Sequence, residues 1–272
     1  MSTISTRFST VAQVVSPPLA DSTPSAELNT RLSSLYALSQ RSPSVFGSPL
    51  GPFFHRSRSL NLPRFVYFGP HTHDESLRLA FLAGFDSQDL RGALAVLHFV
   101  EKLALSPDLG QGLNLSFFPL VDVVGLFQGA RDRHLDAAHW AHAEAPEINL
   151  LQKDARVRGY HGFVRIGSSN SDDSITARLR GLSDSAVAAS GIELISSEDF
   201  EPWPVRWEAD ELSSESAQGP LSIVDDLPLR PFELTLGIPS QWNQELHREA
   251  ITSVLRNFIL RYRSLQAYSQ HL

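Results

Sequence analysis

Apolar side chains recur along the chain in two patterns, one with helical spacing and one in short continuous runs. Helical spacing predicts four helices, over residues 26–38, 75–85, 86–105 and 241–270. Short apolar runs bounded by turn formers predict strands over residues 64–68, 113–124, 155–166 and 231–238, with a short edge strand within 42–52. Continuous runs are typical of strands that are buried on both faces of a parallel sheet. The chain is therefore predicted to be α/β, a three-layer sandwich around a mostly parallel mixed sheet.

Composition predicts the domain organisation. The N-terminal stretch is rich in Ser, Thr and Pro, and we expect residues 1–42 to form a segment with one helix. Residues 43–272 are then the main domain, long enough to bury a sizeable core. Within this domain, residues 183–230 are acidic and rich in turn formers, which predicts a peripheral insertion.

Charge and residue usage exclude several classes of function. The net charge of −7 argues against nucleic acid or an anionic membrane as the main partner. The longest apolar runs are too short to span a bilayer, and the first residues do not follow the order of a signal peptide. The absence of cysteine excludes disulfides, thiolate nucleophiles and cysteine zinc ligands. We expect a cytoplasmic protein.

The segment after the predicted strand at 64–68 concentrates chemically active side chains. His71 and Asp74 lie three residues apart, next to His73 and Glu75. If the intervening turn is helical, His71 and Asp74 point at one metal, and a catalytic zinc typically takes three such ligands and a water. The alternative is structural, a capped turn in which the carboxylates face the first amides of a helix.

Three segments in chain order carry a shared pattern. They are Tyr67 to Asp74, Phe118 to Gly125 followed by Gly129 to Arg131, and Phe232 to Pro239. Together they resemble motifs of the zinc carboxypeptidase family, including its succinylglutamate desuccinylase and aspartoacylase branch. The family motifs are a strand with Gly and His-x-x-Glu, then Pro-x-x-Asn-Pro-x-Gly with Gly-Thr-Arg, and finally Glu-x-Pro. The resemblance spans roughly residues 43 to 265.

The resemblance implies a zinc-dependent hydrolase that cleaves an amide bond next to a carboxylate. His71, Asp74 and His161 would bind zinc, and Arg131 would hold the free carboxylate of a small-molecule or peptide substrate. The third ligand has two possible registers: one keeps His161, and the other places the position at Leu151 or Gln152 and loses the ligand. The pocket is expected beyond the strand ends that carry His71, Asp122 and Gly237.

Two departures separate this chain from the family. Gly237 occupies the position of the general-base glutamate, whose proton transfers contribute about 10²–10⁴-fold. The Asn-Arg pair that binds the substrate carboxylate and polarises the carbonyl has no counterpart. The chain is therefore identified as a divergent member, either a hydrolase with another base or a catalytically degenerate protein that acts by binding.

Overall fold

A computed structural model describes residues 23–73, 76–129, 133, 135, 145–171, 173–180, 201–208 and 232–269. Its centre is an eight-stranded sheet in the order β1-β4-β6-β5-β7-β10-β8-β9. These strands are β1 Val45–Gly47, β4 Phe65–Phe68, β5 Leu77–Leu82, β6 Leu113–Phe118, β7 Gly162–Ser169, β8 Ile175–Arg180, β9 Val205–Trp207 and β10 Phe232–Pro239. A separate hairpin consists of β2 Leu50–His55 and β3 Arg58–Leu62.

The four central strands β6-β5-β7-β10 run parallel to one another. Strand β4 lies antiparallel to β6 on one side, and β8 lies antiparallel to β10 on the other. The carboxyl ends of the four central strands therefore meet along one end of the sheet, which we call the carboxyl end. The opposite end, where these strands begin and where β4 finishes, is the amino end.

Helices cover both faces of the sheet. The described helices are α1 Thr23–Ser39, α2 Arg91–Leu105, α3 Val123–Gln128, α4 Pro146–Arg158 and α5 Gln244–Ser269. Helix α2 connects β5 to β6, and α4 lies in the return from β6 to β7 on the other side of β5. Right-handed crossovers in opposite directions place these two helices on opposite faces. Helices α1 and α5 both pack against α2. The helices on both faces and the parallel central strands confirm the predicted α/β class and the mostly parallel sheet.

Most predicted elements are present, with shifted ends. The helices predicted at 26–38 and 241–270 correspond to α1 and α5, and the strands predicted at 64–68 and 231–238 correspond to β4 and β10. The strand predicted at 113–124 ends at Phe118, because Asp122 begins α3 by accepting a hydrogen bond from the Gly125 amide. The stretch 155–166 is divided between the end of α4 and the first part of β7.

The helix predicted at 75–85 is wrong, since this stretch contains β5, a central strand of the sheet. Its residues are all buried except the half-buried Arg78, and a strand with parallel neighbours on both sides loses the alternation that marks a half-exposed strand. Leucine, alanine and phenylalanine at helix-like intervals then resemble a buried helix. The helix predicted from residue 86 begins only at Arg91.

The predicted division of the chain into a segment 1–42 and a main domain stays a prediction. The buried leucines of α1 (Leu28, Leu32 and Leu35) belong to the same core as the sheet. Most of the predicted insertion 183–230 lies outside the described residues, and its described part carries β9 at the border of the sheet. None of the described helices combines the length with the apolar composition that a membrane span requires.

Candidate functional site

The topology places a crevice at the carboxyl end of the sheet, between β5 and β7. The chain leaves β5 for β6 on one side and then crosses to β7 on the other, so the direction of winding reverses at β5. In open α/β sheets, ligands bind outside the carboxyl ends of the strands at such a reversal. A ligand site is therefore expected between the last residues of β7 and the segment that follows β5, with Gly84, Asp86 and Asp89.

An ion pair occupies this position. The Asp89 Oδ1 lies 2.8 Å from the Arg91 Nε, and the Asp89 Oδ2 lies 2.9 Å from the Arg91 Nη2. The Ser168 hydroxyl from β7 donates to Asp89, and Arg91 also donates to the Ser240 carbonyl beyond β10. Burial alone would raise the pKa of Asp89, but the hydrogen bonds from Arg91 and Ser168 outweigh it and hold the pKa below its ordinary value. These contacts join the start of α2 to the ends of β7 and β10.

A second charged network lies behind the β6 end, and both of its carboxylates are fully buried. Arg133 contacts Asp122, and its Nη1 and Nη2 lie 2.8 and 3.0 Å from the two oxygens of Glu147. Both carboxylates have no solvent-exposed side-chain surface. Burial raises the pKa of Asp122, and the charge of Arg133 opposes that rise. Asp122 therefore joins α3 and α4 to the sheet and does not face an open pocket.

Gly237 lies near the end of β10, directly beside Gly167 of β7. A Cβ atom at Gly237 would meet the Thr176 Oγ1 at 2.4 Å and the Ser169 Cβ at 2.9 Å. At Gly167 an added Cβ meets no atom within 4 Å. Neighbouring side chains thus fill the space at Gly237, where the resemblance places the general base. The space at Gly167, its partner on β7, is open.

This asymmetry gives a matched pair of substitutions. Gly237→Ala should lower the free energy of unfolding by about 1–3 kcal/mol, because the added methyl overpacks a filled site. Gly167→Ala should change it by less than about 1 kcal/mol, since the methyl enters open space. Urea unfolding followed by circular dichroism measures both. Equal losses of unfolding free energy in the two variants would contradict the difference in packing between Gly237 and Gly167.

His71 lies at the amino end of the sheet, opposite Gly237. Strand β4 is antiparallel to β6, with Phe68 beside Asn114, so the turn after β4 lies where β5 and β6 begin. The expectation of a single pocket beyond the strand ends that carry His71, Asp122 and Gly237 is therefore wrong. The reason is the direction of β4, which the sequence pattern does not encode.

His161 also lies at the amino end, immediately before β7. Its Nδ1 accepts a hydrogen bond of 3.0 Å from the Arg78 backbone N–H, and its own backbone N–H donates to the Arg78 carbonyl at 2.8 Å. Because a backbone N–H can only donate, the neutral ring must carry its proton on Nε2. Burial, with the nearby charge of Arg78, lowers the pKa of His161 and keeps it neutral.

The zinc that the resemblance implies does not fit His161 in this geometry. A histidine that ligates a metal offers one nitrogen to the metal and usually donates from the other, but here the second nitrogen accepts. His71 is exposed, and Asp74 and Arg131 lie outside the described residues. Across the ranges that the structure describes, no three His, Asp or Glu side chains are grouped closely enough to hold a metal.

His71, His73 and Arg78 line a pocket at the amino end. It has a volume of about 540 Å³, and its other lining residues are Pro43, Ser44, Phe68, Gly69, Pro70, Thr72 and Asn114. Volumes of this size are usual for small-molecule sites. This pocket thus lies at the end of the sheet opposite the β5–β7 crevice.

Solved metallo-carboxypeptidases share this architecture. The enzyme from Burkholderia cenocepacia matches with a TM-score of 0.63 at 13% identity, over 86% of this chain and 69% of that chain. The enzyme from Pseudomonas aeruginosa, in complex with (2-guanidinoethylmercapto)succinic acid, matches with a TM-score of 0.65 at 14% identity, over 88% and 69%. An aspartoacylase family protein from Mesorhizobium loti matches with a TM-score of 0.52 at 14% identity, over 80% and 67%.

These similarities show a fold of the metallo-carboxypeptidase type. No protein-family model matches the chain, and no curated protein matches its sequence. At 13–14% identity the shared fold carries no statement about metal, substrate or activity.

The structure suggests a different placement of the His-x-x-Glu pattern. The pattern follows a strand and a glycine, and β5 ends before Gly84, with Asp86 and Asp89 three residues apart. If the pattern is placed after β5, Asp86 and Asp89 occupy the positions at which the family has His and Glu. Asp89 is bound to Arg91. The sequence signal for this placement is the run Leu77–Leu82 followed by Ala-Gly, and the helix predicted at 75–85 hides it.

Proposed function

We propose that this chain is a divergent protein of the carboxypeptidase fold that has lost zinc-dependent hydrolysis and acts by binding a small molecule or peptide with a free carboxylate. The observation that carries the proposal is the Asp89–Arg91 pair at the reversal point between β5 and β7. A cation at Asp89 would have to displace the guanidinium from both carboxylate oxygens. Gly237 adds to this argument, because the packed side chains around it exclude a base there.

The proposed ligand is a small carboxylate. A carboxypeptidase of similar fold is described in complex with a substituted succinic acid, which supports a small carboxylate as the ligand of the equivalent crevice here. Arg131 is the proposed partner of that carboxylate, since the planar fork of an arginine matches a carboxylate in two parallel hydrogen bonds. Arg131→Gln should therefore weaken carboxylate binding without changing the fold.

A second candidate keeps the activity, as a metal-dependent hydrolase of an amide bond next to a carboxylate. The observation in its favour is the fold, which the chain shares with metallo-carboxypeptidases and an aspartoacylase family protein. His71, Asp74 and His161 would be its ligands, and His161 would first have to give up the hydrogen bond from the Arg78 amide. The candidate therefore requires a rearrangement at the amino end.

Metal content and turnover separate the two candidates. Protein purified without added metal, then titrated with zinc, is expected to bind less than one equivalent at micromolar zinc. It is also expected not to hydrolyse C-terminal peptides, N-acyl amino acids or N-succinyl amino acids. His71→Ala is the control variant. Stoichiometric zinc that is lost in His71→Ala, together with turnover of any of these amides, would overturn the binding proposal in favour of the hydrolase.

A further inference from the structure

Three side chains at the amino end form a row across adjacent strands. Phe68 of β4 lies beside Asn114 of β6, and Asn114 lies beside Arg78 of β5. Residues that are directly paired on neighbouring strands project from the same face of a sheet. All three line the 540 Å³ pocket, so one face of the sheet presents an aromatic ring, an amide and a guanidinium side by side.

The two polar members of this row are unusual for their strands. Arg78 is the half-buried residue of an otherwise buried β5, and Asn114 is its half-buried counterpart in β6. The Nε of Arg78 is buried and has no hydrogen-bond partner among the described residues. Within the same described ranges, its guanidinium forms no ion pair, although buried or half-buried arginines usually have a partner. Arg78 therefore lines the pocket with a guanidinium whose donors the described residues leave partly unused.

A hydrogen-bonded turn, residues 69–72, also lines the pocket. The Gly69 amide donates to the Leu113 carbonyl at 2.9 Å, the Gly112 amide donates to the Pro70 carbonyl at 2.7 Å, and the Thr72 hydroxyl donates to the Leu113 carbonyl at 3.1 Å. The turn holds His71 at a φ of 59°, a left-handed conformation that costs a non-glycine residue about 1–2 kcal/mol. Such strain is often retained at binding sites.

The aromatic side of the pocket extends beyond Phe68. The ring of Phe46, on the border strand β1, packs edge-on against the Phe68 ring at 5.9 Å between centroids. Both rings are exposed, Phe46 by 43% and Phe68 by 39%. A ligand in the pocket thus meets the Phe68 ring at one end of the row and the polar side chains of Asn114 and Arg78 along the rest of it.

We propose that this pocket binds a small organic anion, a carboxylate or a phosphate ester attached to an aromatic or flat apolar group. The anion lies against Arg78 and Asn114, where charge-assisted hydrogen bonds form in a partly dry site. The apolar group stacks on Phe68. The inference does not depend on the function proposed for the carboxyl end, because the two sites lie at opposite ends of the sheet.

Three probes test the inference and distinguish the sources of the anion: benzoate, phenyl phosphate and inorganic phosphate, titrated by isothermal titration calorimetry and by amide NMR shifts. Phenyl phosphate or benzoate, or both, should bind saturably, with amide shifts at residues 68, 69, 71–73, 78 and 114. Arg78→Gln should weaken binding at least tenfold. Phe68→Ala should weaken the aromatic probes severalfold and leave inorganic phosphate unchanged.

The matched control is Arg256→Gln, which makes the same charge change on an exposed position of α5 and should leave affinity unchanged. Arg78→Lys is the second variant if Arg78→Gln unfolds; it keeps the charge, loses the planar fork and should still weaken binding. Asp74 and Glu75 follow the turn in sequence. If their carboxylates occupy Arg78, none of the probes binds saturably and the proposal is overturned. Equal weakening by Arg78→Gln and Arg256→Gln would also overturn it.

Discussion

Replacing Glu147 with alanine is expected to lower the free energy of unfolding by about 3–5 kcal/mol, the usual cost of removing one partner from a buried charge network. The Glu147 side chain has no exposed surface. One of its oxygens accepts from the Val124 amide at 3.0 Å, and both accept from Arg133. The substitution leaves that amide without its partner, and among the described residues it leaves Arg133 with Asp122 alone.

The control for this prediction is Glu245→Ala on the first turn of α5. The Glu245 side chain is 74% exposed and lies 3.4 Å from Arg248. An exposed pair of this kind contributes at most about 1 kcal/mol. Urea denaturation of both variants at neutral pH gives the comparison. A loss at Glu147 no larger than that at Glu245 would mean that the network does not stabilise the fold as its burial indicates.

The position of this network explains why it is structural. Asp122 begins α3, and Glu147 lies in the first turn of α4, so Arg133 joins the starts of two helices behind the end of β6. The sequence resemblance placed Asp122 at the pocket. In the structure its carboxylate is enclosed, and its charge serves the connection between β6 and β7.

The sequence pattern predicted the fold better than the site. Continuous apolar runs identified β6 and β10, and helical periodicity identified α1 and α5, because burial on a regular element leaves a periodic trace. The same logic failed at Leu77–Leu82, where burial on both faces removes the strand alternation. The glycine and the carboxylates that follow β5 are then predicted as the start of a helix and not as the turn at the end of a strand.

His71 and His161 show a second limit of sequence reasoning. Both were predicted to ligate one metal, and both do lie at the amino end of the sheet. Whether a histidine can ligate depends on which nitrogen holds its proton, and this is decided by the Arg78 amide, 83 positions away in the chain. Contacts between such distant residues depend on the order of the strands in the sheet, which no local sequence pattern encodes.

Acidification is expected to destabilise the protein partly through His247, and His247→Leu should remove that part. The His247 side chain has no exposed surface, and neither ring nitrogen has a hydrogen-bond partner among the described residues. Burial lowers its pKa to about 4, with a further lowering from Arg91 and an opposing rise from Asp89. The unfolded chain binds a proton at an ordinary pKa of about 6.5, whereas the native chain stays neutral until about pH 4.

The sign of the effect follows from this difference. Stability from the neutral ring is complete above pH 6.5 and is lost as the pH falls towards 4, because the unfolded state then binds more protons than the native state. Between pH 7 and pH 5 the loss from this residue should be about 2 kcal/mol. His98 and His161, whose pKa values are also lowered by burial, keep part of the acid dependence in every variant.

Two substitutions separate titration from the burial of polar atoms. His247→Leu should flatten the dependence of unfolding free energy on pH and should be neutral or stabilising at pH 7, since it removes two polar atoms that lack partners in the described structure. His247→Gln should flatten the dependence equally but give no gain at pH 7, because it keeps buried polar atoms. Denaturant titrations from pH 4.5 to 8 measure both. If both variants keep the wild-type slope of unfolding free energy against pH, His247 is solvated or paired. That result would contradict a buried neutral histidine beside the Asp89–Arg91 pair.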